Sequence, residues 1–97
     1  MNKEQHLFLK LGEEAIEVAH MSAKVMQFGM TEVQVGLNKH NVERLHGEMD
    51  DYQAMIEMLN DNHGLGYIPN RENIEAKKDK VRRYLDKSIQ LGCVTND

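Results

Sequence analysis

Glu13-Glu14-Ala15-Ile16-Glu17 decides how this chain is read, because it sets three carboxylates along little more than one turn of a strongly amphipathic segment. Around it, Leu7, Leu11, Val18 and Val25 recur at helical spacing, and no proline interrupts the run from Asn2 to Phe28. Asn2 followed by Gln5 has the form of a capping box, so the spacing predicts one long helix, with Gly12 as a point of bending and Gly29 as its end. Residues 29 to about 40 carry Gly29, Gly36 and Asn38 without sustained periodicity, which predicts a loop with one short turn. Asn41 is then expected to cap a second helix reaching about Asn62, with the stripe Val42, Leu45, Met49, Tyr52, Ile56 and Leu59. His63-Gly64-Leu65-Gly66 and Pro69-Asn70 break the chain again, before a third helix from about Arg71 to Leu91 built on Ile74, Val81, Tyr84, Leu85 and Ile89. Nothing alternates with the period of a strand. The expected class is therefore all-α, with about three main helices in one domain spanning residues 1–97. So short a chain buries a modest fraction of its surface, and the bundle is expected to be completed by oligomerisation around a four-helix-bundle-like core.

The formal net charge of −4 supplies no basic field for nucleic acid or an anionic membrane, so a metal or a cationic group is the better complement. The single cysteine, Cys93, excludes an internal disulfide and fits a reducing compartment, with the cytoplasm as the default. Met1 to Lys10 is charged and lacks a long apolar core, so it reads as neither signal peptide nor membrane span. The methionines at 21, 26, 30, 49, 55 and 58 are expected as filler in the core and at a subunit interface.

A helical wheel separates solvated acids from misplaced ones. On the first helix Glu13 projects with His20 and Lys24 on the polar side, Glu17 sits at the border, and Glu14 falls among Leu7, Val18, Met21 and Val25. On the second, Glu43, Asp50 and Glu57 share the solvent face, Asp51 is at the border, and Glu48 falls between Leu45, Met49, Tyr52 and Met55. A carboxylate turned into an apolar stripe is costly unless it is paired, protonated or bound to a metal. Taken alone, the Glu13 to Glu17 run reads as a charged helix face, and Glu48 with Asp51 as a buried ion pair with a lysine such as Lys77. Their shared geometry, one acid in the stripe and its partner one turn later at the border, favours a common metal site. On the third helix Lys77 and Lys78 fall on the apolar side and Lys80 flanks Lys77, so a cation can face the acids or a phosphate. Glu17-Val18-Ala19-His20 and Glu43-Arg44-Leu45-His46 both have the Glu-x-x-His spacing of di-iron bundles, but Glu43 and His46 lie on the solvent side, away from Glu48.

Glu13-Glu14-x-x-Glu17 followed by Glu48-x-x-Asp51 resembles the signature of the all-α nucleoside triphosphate pyrophosphohydrolases, the MazG-like superfamily. Ala23-Lys24 through Phe28-Gly29, Asn41-x-x-Arg44-Leu45, and Lys77-x-x-Lys80-Val81 leading to Tyr84-Leu85 extend the resemblance over roughly Leu7 to Gly92. The segment between Glu17 and Glu48 is longer than in the shortest members. The resemblance implies a helical bundle of at least two subunits, a dimer or tetramer, and Mg²⁺-dependent hydrolysis of an NTP or dNTP to the monophosphate and pyrophosphate. It implies Glu14, Glu17, Glu48 and Asp51 as ligands of Mg²⁺, or of Mn²⁺ in its place, with Glu13 in the surrounding shell or assisting as base. Lys77 and Lys80 are the candidates for stabilising phosphate charge, and Asn41, Arg44 and Lys24 for further substrate contacts. The reading from another class is a non-catalytic helical interaction module in which the acids form ion pairs or a structural cation site.

Overall fold

A computed structural model describes residues 1–97. The chain is all-helical, with α1 (Lys3–Phe28), α2 (Asn41–His63) and α3 (Arg71–Gln90), as the periodicity predicts to within a residue or two. It divides into two compact units, Met1–Tyr67 and Ile68–Asp97. No helix is long and apolar enough to cross a membrane.

The first unit is a hairpin of α1 against α2. Asn2 and Gln5 make the expected capping box: the Gln5 amide N–H donates to Asn2 Oδ1 and the Asn2 N–H to Gln5 Oε1, each at 2.8 Å. α1 runs unbroken through Gly12 and stops at Gly29, whose φ of 92° takes the chain out of the helix. The connection that follows is tied down from α2. The Asn41 N–H donates to the Glu32 carbonyl and the Val42 N–H to the Met30 carbonyl, both at 3.0 Å, and a short turn joins Gln34 to Leu37. Asn41 differs from its expected role as a cap. His40 occupies the cap position, where its N–H donates to Glu43 Oε1 at 3.1 Å, and Asn41 begins the helix proper. The Asn41 side chain, 1% exposed, instead donates Nδ2 to the Gly29 carbonyl and to Glu32 Oε1, both at 3.0 Å. Sequence spacing shows a capping residue type at position 41, but not that a loop carbonyl twelve residues earlier competes for it.

The interhelical seam has the alternating four-and-three spacing of packed helices. On α1 it runs Leu7, Leu11, Glu14, Val18, Met21, Val25, and on α2 Asn41, Leu45, Glu48, Tyr52, Met55, Leu59, all of them half-buried or buried. Glu14 and Glu48 thus stand where apolar side chains belong, as the wheel indicates. Met49, expected in the stripe, is exposed, because the seam passes through Glu48 instead. Met21, Ile56 and Leu59 are the fully covered apolar side chains. α2 ends at Gly64 in the left-handed conformation (φ 69°, ψ 22°), and the Leu65 N–H returns to the Leu59 carbonyl at 3.2 Å. The Asn60 amide then clamps Tyr67, accepting from its N–H and donating to its carbonyl, each at 2.9 Å.

In the second unit, Asn70 caps α3 by accepting from the Asn73 N–H at 2.9 Å. Surface ion pairs Arg71–Glu75 and Lys78–Glu75 (3.2 Å each) and Arg82–Asp79 (2.9 Å) run along it, and none of its residues is buried. Lys78, expected near the apolar side, is occupied by Glu75.

Candidate metal centre

Glu14 and Glu48 are half-buried seam residues of α1 and α2, and Asp51 follows Glu48 by three residues and is exposed. Carboxylate oxygens of these three residues all lie within 4.8 Å of one another, with Glu14 and Glu48 half-buried and Asp51 exposed. None of the three takes part in an ion pair or a side-chain hydrogen bond within Met1–Tyr67. Three like charges drawn together in a partly apolar seam, with no ion-pair partner in the hairpin, are an arrangement that a cation relieves.

The donor set suits a hard divalent cation. All donors are oxygens, and ligands on opposite sides of Mg²⁺ stand about 4.2 Å apart, so oxygens within 4.8 Å need only slight closure to share one ion. The remaining acids divide. Glu17 is exposed and falls outside the group of three, one turn along α1 from Glu14. Glu13 is held by Lys10, whose Nζ donates to its Oε2 at 2.9 Å. The hydrogen bond and charge of Glu13 raise the Lys10 pKa above its ordinary 10.5, against a small opposing effect of desolvation and with a lesser push from Glu14.

Of the basic candidates, Lys24 lines a cavity of about 450 Å³ with Phe28, Gln34 and Asn41 at the loop end of the hairpin. Arg44 is half-buried beside it, its Nη1 donating to Gln34 Oε1 at 3.0 Å and to Asn41 Oδ1 at 3.4 Å. Asn41 is committed to the loop, a structural task the sequence reading did not foresee. Lys77 and Lys80 belong to α3 in the second unit. His6 and His63 line a larger cavity at the opposite end of the hairpin together with Met58 and Asn62, none of which sequence reasoning singled out for binding. The available signal was their spacing: Met58 follows Asp51 by seven residues and so shares its face of α2.

Comparison with protein-family models, with curated proteins and with solved structures found no match.

Proposed function

We propose that the protein is a Mg²⁺-dependent nucleoside triphosphate pyrophosphohydrolase, converting an NTP or dNTP and water to the monophosphate and pyrophosphate. The observation that carries this reading is the group Glu14, Glu48 and Asp51, three carboxylates from two helices whose oxygens lie within 4.8 Å of one another. The MazG-like order of the acids along the chain supports it. Bound there, Mg²⁺ or Mn²⁺ would neutralise triphosphate charge and acidify a water to give a nucleophile at neutral pH.

The chain's own contributions follow from its geometry. Glu14, Glu48 and Asp51 hold the ion, and Glu17, one turn from Glu14, is the fourth carboxylate within reach of the same face. Glu13, anchored by Lys10, acts on the surrounding hydration as an outer base. As water adds to phosphorus and the bridge between the α- and β-phosphates breaks, the departing pyrophosphate carries the new charge. Lys24 and Arg44, in the unit that carries the carboxylates, are the groups that stabilise it. Asn41 serves the site by fixing the loop that carries Gln34, Arg44's partner.

A homo-oligomer, dimer or tetramer, accompanies this reading, because the hairpin leaves Ile16 at 68% and Met26 at 91% exposure, with Phe8 also uncovered. A second copy is the natural cover for such surface. The lone cysteine and the nucleotide substrate fit action in the cytoplasm.

The test is pyrophosphate release from a panel of canonical and modified triphosphates with and without Mg²⁺, repeated for Glu14→Gln and Glu48→Gln. Mg²⁺-dependent release lost in both variants is expected. Absence of release across the panel refutes the enzyme, and Mg²⁺ binding without turnover supports a structural cation site in its place. Full activity in both variants would move the site elsewhere.

A further inference from the structure

We infer that α3 docks on an anionic lipid surface, its apolar stripe pressed in below the headgroups and its basic side chains spread over the phosphates. Nothing in this docking depends on pyrophosphohydrolase activity.

Charge is divided unevenly along the chain. α3, from Arg71 to Gln90, carries seven basic residues and four acidic, whereas Met1–Tyr67 carries five and eleven. The net charge of −4 therefore describes the hairpin, and α3 is a cationic segment joined to it. A basic amphipathic helix is drawn to a negative surface, and anionic headgroups provide one.

Placement around the helix selects lipid. At about 100° per residue, Ile74, Val81, Tyr84, Leu85 and Ile89 gather on one side, while Glu72, Glu75, Asp79 and Asp86 fall within about 60° of one another on the far side. The cations take the shoulders between them, Arg71, Lys78 and Arg82 on one, Lys77, Lys80 and Lys87 on the other. A helix lying in the plane of a bilayer uses this order, with the apolar side down, long cations at the level of the phosphates and acids toward water. On the first shoulder Glu75 takes Arg71 and Lys78, and Asp79 takes Arg82; on the second, Lys77, Lys80 and Lys87 have no acid at ion-pair distance within Ile68–Asp97. The apolar side is open, with Val81, Tyr84 and Leu85 all exposed and no residue of α3 buried. Tyr84 stands at the edge of the stripe, where a ring with a polar tip meets the headgroups.

A second copy of the chain fits this face less well. A helix–helix seam through Ile74, Val81 and Ser88 takes Lys77 and Tyr84 at its alternate positions, so a neighbouring helix would bury an ammonium and a hydroxyl in the middle of the contact. At a lipid surface Lys77 runs its stem along the apolar side and keeps its charge among the phosphates. No helix is long and apolar enough to cross a membrane, and α3 lies flat, its 20 residues making a rod about 30 Å long.

Co-sedimentation of the full-length protein with vesicles of phosphatidylcholine, with and without phosphatidylserine, tests the docking. Binding is expected only with phosphatidylserine and should weaken as NaCl is raised. Lys77→Gln and Lys87→Gln should each lower the partition coefficient about fivefold and Leu85→Ser about tenfold, whereas Lys39→Gln, in the hairpin's connection, should leave it unchanged. All four side chains are exposed, so circular dichroism should show the same helix content in every variant. The sequence has no tryptophan, and the emission of the Tyr84→Trp variant should move to the blue on phosphatidylserine vesicles and stay unchanged on phosphatidylcholine. No binding to either vesicle, equal binding to both, full binding by Leu85→Ser, or equal weakening by Lys39→Gln overturns the inference. So does lipid-free self-association in analytical ultracentrifugation that Leu85→Ser abolishes, which would assign the face to a second copy.

Discussion

Replacing Glu14 should stabilise the metal-free protein while abolishing its proposed activity. Glu14 shares a space of 4.8 Å with two other carboxylates, and two unit charges that far apart repel by about 0.9 kcal/mol in water. Physiological salt screens this roughly by half, so the two pairs that Glu14 makes cost about 1 kcal/mol together. Glu14→Gln removes that repulsion at nearly constant volume. For a chain of this length about 1 kcal/mol moves Tm by roughly 4–8 °C. Glu14→Leu goes further, since half-burying a leucine in the seam adds about 1 kcal/mol, for a total rise near 10 °C. The order should invert with the cation present: wild type gains about 2.7 kcal/mol at Mg²⁺ a hundred times its Kd, and the variants, short of a ligand, gain less. The assay is thermal unfolding by circular dichroism at one protein concentration, in EDTA and in Mg²⁺, across a salt series. In EDTA the wild type should also gain stability with added NaCl more steeply than Glu14→Gln. If Glu14→Gln melts below wild type in EDTA, the three carboxylates are not in mutual repulsion and the argument for a cation site fails.

Two further outcomes test the scaffold around the site. Asn41→Ala strips the Gly29 carbonyl and Glu32 of their partner in a fully buried position and should cost about 1–3 kcal/mol, with faster hydrogen exchange of the Asn41 and Val42 amides that hold the loop. Gly64→Ala puts a Cβ at φ 69° in otherwise open space and should cost about 1 kcal/mol from backbone strain, read as a lower urea midpoint with an unchanged m-value.

How much of this was legible in the sequence varies with the range of the interaction. The Asn2–Gln5 cap, the Gly29 stop and the helical period of the three segments are local, and the chain spells them out within a turn. The misplacement of Glu14 and Glu48 was legible for the same reason: an acid between apolar neighbours one turn away on either side reveals its position without a partner helix in view. What escaped depends on the fold. Asn41 was misassigned because its amide answers a carbonyl across the connection. Met49 reads as core from its spacing after Leu45, but the seam takes its neighbour Glu48 and leaves Met49 exposed. Glu17 and Asp51 look equivalent on their own helices, each three residues after a seam acid, yet Asp51 joins the group and Glu17 does not. That choice is made by side-chain direction across the hairpin, which single-helix geometry does not contain.

The seam carries a further consequence for alignment. Its positions repeat with so regular a spacing on both helices that a slide of one helix past the other by seven residues would still set seam position against seam position. The two acids break that degeneracy. In a slipped hairpin Glu14 and Glu48 would each be stranded against aliphatic side chains, beyond the reach of any single ion. In the native alignment their carboxylate oxygens come within 4.8 Å of each other, so a cation held between them acts as a ratchet pin, and the charges that weaken the hairpin in isolation select its one correct setting.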